Sequence, residues 1–155
     1  MAVNAVSILH ILGTIFAIVE LGLTAYWASL FHGWWTPSSI DFLLFTSVWS
    51  LLVLFYVALA STRTPSIFNR TAALAANALT AIFWFAGAIA VAVWFGGPYA
   101  CGGDRACSNA EAAIAFGFFL WAIFTVLAII DAIEFLRRRG HTVNTNKSTN
   151  AYPNA

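Results

Sequence analysis

Ile8-Leu-His-Ile-Leu-Gly-Thr-Ile-Phe-Ala-Ile-Val-Glu-Leu-Gly-Leu-Thr-Ala-Tyr-Trp-Ala-Ser-Leu-Phe31 is an apolar run broken only by a carboxylate, Glu20, an imidazole, His10, and a few small or hydroxylated residues. A membrane-spanning helix needs about 20 such residues, so the run is long enough to cross a bilayer. A charge at the middle of a bilayer is costly, so Glu20 is expected to face protein rather than lipid. Three further blocks have the same character, which gives four expected spans at about residues 8–31, 40–60, 72–95 and 112–135.

Composition points the same way. The chain of 155 residues is 61% hydrophobic and only 8% charged, too few charges to cover a soluble domain of this size with polar surface. A net charge of +1 removes the electrostatic basis for nucleic-acid binding. Seven Trp suit a protein with two interfacial belts, and Trp27, Trp34, Trp35 and Trp94 fall near span ends. The N-terminus lacks the basic segment and cleavage signal of a secretory leader, so the first block reads as a retained span. Neither a prenylation nor a myristoylation signal is present.

The three links between blocks are short, so consecutive helices are expected to be antiparallel neighbours. Lys and Arg set the orientation. Arg63 and Arg70 lie in the second link, and Arg137, Arg138, Arg139 and Lys147 lie in the tail, whereas the third link has only Arg105 beside Asp104. The positive-inside rule then places the second link and both termini in the cytoplasm. The fold class expected is an all-α, antiparallel, left-handed bundle of four transmembrane helices in one domain, residues 1–136, followed by a polar, disordered tail at 137–155. Asn69-Arg-Thr71 and Asn146-Lys-Ser148 match the glycosylation pattern but fall on the cytoplasmic side in this scheme.

Cys101 and Cys107 are the only cysteines and lie in the third link. That link is extracellular or lumenal by the charge rule, an oxidising setting in which a structural disulfide is expected. A redox or zinc pair is the alternative. The spacing is not Cys-x-x-Cys, and no His lies nearby to complete a metal site.

Helical spacing assigns each span an inward row. The first span gives His10, Gly13, Ala17, Glu20, Thr24 and Trp27, and the second Phe42, Thr46, Trp49, Val53, Tyr56 and Ala60. The third gives Ala73, Asn77, Thr80, Trp84, Gly87 and Val91, and the fourth Phe118, Trp121, Thr125, Ala128 and Asp131. Helices in lipid associate through close contact of small residues and interhelical hydrogen bonds, which makes Gly13, Ala17, Ala73 and Gly87 the candidate contact residues. Glu20 lies at the depth of Ser47, Trp49, Ser50, Trp84 and Thr125, with no cation among them. It serves either as a neutral acid bonding between helices or as a coupling group. His10, Asn77 and Asp131 form a second polar layer, in which an Asp131–His10 pair is possible if the first and fourth spans meet. Arg137 to Arg139 form a stop signal that also attracts anionic inner-leaflet lipid. No catalytic constellation, phosphate loop or cofactor or metal site is visible, so no cofactor is expected.

Four spans, both termini inside, a very short first outer link and a cysteine pair in the second resemble the MARVEL domain, especially small fungal members. Two stretches carry the likeness. Pro37-Ser-Ser-Ile-Asp-Phe-Leu-Leu-Phe45 is similar to the start of that family's second span, and Cys107-Ser-Asn-Ala-Glu-Ala-Ala-Ile-Ala-Phe-Gly-Phe-Phe-Leu-Trp121 to the start of its fourth. The resemblance spans about residues 5–136 and implies a non-enzymatic protein that organises lateral membrane domains, in the plasma membrane by family likeness. Sterol or sphingolipid, further copies of the chain, or other membrane proteins are the implied partners. Two other classes stay open: a small proton-coupled transporter using Glu20, and an accessory subunit of a larger membrane complex.

Overall fold

Four helices account for almost all of the described residues. The computed structural model describes residues 2–31, 37–62, 70–96 and 105–149, with side chains described over 5–31, 37–59, 71–96 and 107–137. The helices are α1 (Ala2–Leu30), α2 (Ser38–Thr62), α3 (Arg70–Trp94) and α4 (Arg105–Thr149). At 1.5 Å per residue, even a helix of 25 residues reaches about 37 Å, beyond the ~30 Å hydrocarbon core of a bilayer. The stretches apolar enough to span are Ala5–Leu30, Ser38–Leu59, Thr71–Trp94 and Cys107–Arg137.

Local chemistry sets the helix ends. Pro37 precedes α2, where its carbonyl accepts from the Ile40 and Asp41 amides at 2.9 and 3.4 Å. Asp41 places a negative side chain in the first turn, complementing the helix dipole. α3 stops where Gly96 adopts a φ of 77°, a left-handed conformation that glycine reaches without strain. The Phe95 and Gly96 amides close that end on the Val91 and Val93 carbonyls.

Helices consecutive in the chain touch, and α1 meets α4, so the four form a closed ring. Register contacts show that every neighbouring pair is antiparallel. Gly13 of α1 faces Leu54 of α2 and Ile123 of α4, Gly87 of α3 faces Leu43 of α2, and Gly117 of α4 faces Ala88 of α3. Both described chain ends therefore lie at one end of the bundle. The interior is filled by Ala17, Leu43, Leu54, Trp84, Leu120, Phe124 and Leu127, all buried.

The inward rows expected for α1 and α3 fall on the buried faces of those helices, except that His10 is only half-buried. Gly13, Ala17, Glu20, Thr24 and Trp27 are buried on α1, as are Ala73, Asn77, Thr80, Trp84, Gly87 and Val91 on α3. The rows expected for the other two helices need correction. The inner face of α2 is Ile40, Leu43, Ser47, Ser50, Leu54 and Val57 together with Thr46 and Val53, while Tyr56 points outward. On α4 it is Ala110, Ala113, Gly117, Leu120, Phe124 and Leu127, and Trp121 is exposed. Lipid is as apolar as a protein core, so an aromatic ring can face either way.

Two other expectations change. Of the tail expected to be disordered, 137–155, residues 137–149 continue α4 as helix, and 150–155 lie outside the described residues. An existing helix extends by one hydrogen bond per added residue, without a new nucleation cost. The Cys101–Cys107 disulfide expected in the third link is not shown by the described residues. Such a bond needs both β-carbons placed about 4 Å apart, and Cys101 lies outside the described residues. Cys107 itself is not a free thiol.

Candidate functional site

Glu20 is fully buried at 0% exposure, and neither carboxyl oxygen has a hydrogen-bond partner among the described residues. The surrounding hydroxyls explain why. Counting along α1 and α2 from the Gly13–Leu54 contact places Glu20 level with Ser47. Ser47 donates to the Leu43 carbonyl at 2.8 Å, Thr46 to Phe42 at 2.8 Å and Ser50 to Thr46 at 2.7 Å. Thr24, one turn along α1, donates to the Glu20 carbonyl at 2.8 Å rather than to the carboxyl. Each hydroxyl proton is spent on its own helix, the usual resort of Ser and Thr in a helix interior.

The same layer carries the links between α2 and α3. The Trp84 indole donates to Ser50 Oγ at 2.9 Å, and the Trp49 indole to Thr80 Oγ1 at 3.1 Å. Trp84 and Thr80 are both 0% exposed. These two bonds fasten the hairpin at mid-membrane depth and leave Glu20 outside the network.

A second polar layer lies nearer the termini. The Asn77 amide nitrogen donates to Asp131 Oδ2 at 2.9 Å, joining α3 to α4, while buried Asn77 Oδ1 has no partner among the described residues. His10 Nδ1 lies 2.9 Å from the Val6 carbonyl, and its buried Nε2 has no partner among the described residues. The possible Asp131–His10 pair is therefore not formed. The Gly13–Ile123 contact sets His10 level with about residue 126, more than a turn of α4 short of Asp131.

The opposite end is closed by aromatic rings. Trp27 stacks on Phe31 with centroids 5.8 Å apart and meets Phe95 edge-on at 5.0 Å, and Trp94 meets Phe95 at 4.9 Å. Trp27 is 7% exposed, so it belongs to this interior plug rather than to an interfacial belt. Trp34 and Trp35 lie outside the described residues. A cavity of about 10 Å³, the scale of one water, lies beneath the plug between Thr24, Trp27, Leu43 and Ala113.

The four small residues singled out as contacts all face protein. Ala17 and Ala73 are 0% exposed. A β-carbon on Gly87 would come within 2.5 Å of Leu43 Cδ2, whereas one on Gly13 would meet Ile123 at an ordinary 3.5 Å. Gly87 is thus the tighter of the two. A β-carbon added at Gly117 would lie 3.2 Å from Ala88 Cβ, a tight contact of the same kind, and this glycine was missed because the row read for α4 lay on another face. The plug residues Phe31 and Phe95 were also missed; their adjacency to Trp27 and Trp94 at span ends was the available signal. Arg137 is exposed on α4, and the side chains of Arg138 and Arg139 lie outside those described.

Among the described residues, no group of three or more His, Cys, Asp or Glu could hold a metal ion. A closed ring of four apolar helices, with polar groups turned inward and bulky apolar side chains outward, defines a membrane-embedded helical bundle. The chain belongs to the MARVEL family, whose model, described as a membrane-associating domain, matches residues 3–130. Searches of curated proteins and of solved structures gave no match.

Proposed function

We propose that this protein organises the membrane laterally, through lipid and helix–helix contacts and without chemistry of its own. The observation that carries the reading is the division between the two surfaces of the bundle. Ile11, Ile18, Leu52, Phe55, Ile82, Val93 and Phe119 are all more than half exposed, so every helix presents bulky hydrocarbon outward. Membership of a membrane-associating family supports the same role. We place both termini in the cytoplasm on the strength of Arg70 and Arg137 to Arg139 at their end of the bundle. The left-handed crossing usual for such bundles, a small fungal-type membership, residence in the plasma membrane, and sterol or sphingolipid as the lipid belong to this proposal.

The test is imaging of the tagged protein before and after acute depletion of sphingolipid, as wild type and as Glu20→Gln. Discrete patches that disperse on depletion, alike in both versions, are the expected result. A uniform distribution indifferent to lipid would overturn the reading.

One observation favours a second reading, a small proton-coupled transporter. A buried carboxyl without a hydrogen bond is a cost that a passive bundle gains nothing by carrying. Under that reading Glu20→Gln abolishes proton-driven movement across liposomes while its melting temperature stays unchanged.

A further inference from the structure

Two serines stand on the side of α2 that meets α1, and the helical repeat sets them beside Glu20. Seven residues make nearly two full turns, so contacts recur at that interval along an antiparallel pair. Gly13 faces Leu54, and Trp27 shares a buried cluster with Ile40 farther along the same register. Midway between these contacts the register sets Glu20 opposite Ser47, and Ala17 opposite Ser50. A helical side chain leans toward the N-terminus of its helix. The Glu20 carboxyl is thereby carried from the level of Ser47 toward that of Ser50. All four residues are at 0% exposure.

We propose that Glu20 is a proton-exchange site and that Ser47 and Ser50 are its partners, turning their hydroxyls from α2 to the carboxylate when the proton leaves. The inference rests on the same buried carboxyl as the transporter reading above, and it names the groups that receive the charge.

The balance of donors and acceptors selects the ligand. Elsewhere in this layer donors meet acceptors, as the Trp84 and Trp49 indoles do with Ser50 and Thr80. Around Glu20 only acceptors remain. Its two carboxyl oxygens have no partner among the described residues, and the protons of Thr24, Ser47 and Ser50 point to backbone carbonyls. A carboxylate buried without donors is among the costliest groups in a protein, whereas an uncharged acid tolerates the setting far better. The hydroxyl arrangement therefore fits the protonated form.

Loss of the proton has an answer close by. The O–H bond of the acid breaks, the proton passes to a buffer base, and the negative charge stays on the carboxyl. The Leu43 and Thr46 carbonyls that accept from Ser47 and Ser50 lie inside α2, where helical N–H groups also serve them. Rotation about one side-chain bond therefore frees each hydroxyl without orphaning a carbonyl. Ser50 also receives the Trp84 indole at 2.9 Å, so its turn toward Glu20 extends one donor chain from α3 through α2 to α1. Among the described residues no other charge competes at this depth. His10 stands ten residues away on α1, about 15 Å along the axis. Asp41 of α2 and Glu111 of α4 are exposed, Asp131 of α4 is bonded to Asn77, and α3 has no charged residue from Thr71 to Trp94.

The test is infrared spectroscopy of the full chain in vesicles, from about pH 5 to about pH 10, a span that covers buried carboxyls. The carboxylic C=O band present in wild type and absent from Glu20→Gln reports the Glu20 proton, and it is expected to fade as pH rises. In Ser47→Ala/Ser50→Ala the carboxylate loses its donors. The band then persists to a proton concentration about tenfold lower, the factor for one hydrogen bond to a charged group. Ser47→Ala alone shifts it less, in the same direction. Thr46→Val is expected to titrate as wild type, because Thr46 lies one turn from Phe42, on the side of α2 that meets Gly87 of α3. A wild-type band constant across the range, no band lost in Glu20→Gln, serine variants that titrate as wild type, or a midpoint moved by replacing choline with sodium would each overturn the proposal. Transport separates the two readings. A band that titrates as expected without proton-driven movement sinks the transporter alone, whereas movement with a band indifferent to Ser47 and Ser50 sinks this inference alone.

Discussion

The interior layer around Glu20 and the outer groove that runs from Trp121 to Ala132 belong to the same four helices, yet they are opposite in character. The first is sealed and rich in polar groups: Glu20, Thr46, Ser47, Ser50, Thr80 and Trp84 are all at 0% exposure. The second is open and almost wholly apolar. A soluble protein would invert this arrangement. In a bilayer the solvent is hydrocarbon, so polarity is driven inward and apolar relief is left outside for lipid. The comparison teaches that cohesion and surface function are assigned here to separate faces of the same helices.

Substitutions that break the inner face are expected to have the largest effects. Trp84→Ala opens a void and removes the donor to Ser50, for a loss of about 3–5 kcal/mol. Its unfolding midpoint in mixed micelles should fall furthest of the set, and a midpoint equal to wild type would show that this layer does not hold the bundle. Gly87→Val drives branched carbons into Leu43 and should cost about 1–3 kcal/mol in the same assay. Glu20→Met sharpens the comparison from the other side. It removes a buried, unpartnered carboxyl and should raise stability by about 1–3 kcal/mol; a lowered midpoint would mean that Glu20 makes a bond in the membrane. Trp49→Phe deletes the bond to Thr80 and should cost only about 0.6 kcal/mol, the average for hydrogen bonds between membrane helices.

What the sequence made legible follows the same division. The inner faces of α1 and α3 could be read because their small and polar residues, Gly13, Ala17, Glu20 and Thr24 or Ala73, Asn77, Thr80 and Gly87, recur at helical spacing among bulky neighbours. The faces of α2 and α4 could not be read that way, because Phe, Trp and Thr were used as inward markers. Trp121, Thr125 and Ala128, read as an inner row, instead line the outer groove. The depth of Glu20 was readable from position alone. Its lack of partners was not, since that depends on each nearby hydroxyl preferring its own helix carbonyl. The Asp131–Asn77 contact likewise needed the register between α3 and α4, which spacing within one helix cannot supply.

The habit of those hydroxyls has a consequence for how the protein is made. Thr14, Thr24, Thr46, Ser47, Ser50, Thr80 and Thr125 each donate to a carbonyl four residues back on the same helix. A helix that has already satisfied its hydroxyls can leave the translocation channel and wait in lipid without a neighbour. The indole and amide donors of Trp49, Trp84 and Asn77 find their acceptors only when hairpins meet. Biosynthesis can therefore proceed as insertion first and assembly second, with the late-made bonds acting as the proofreading of register.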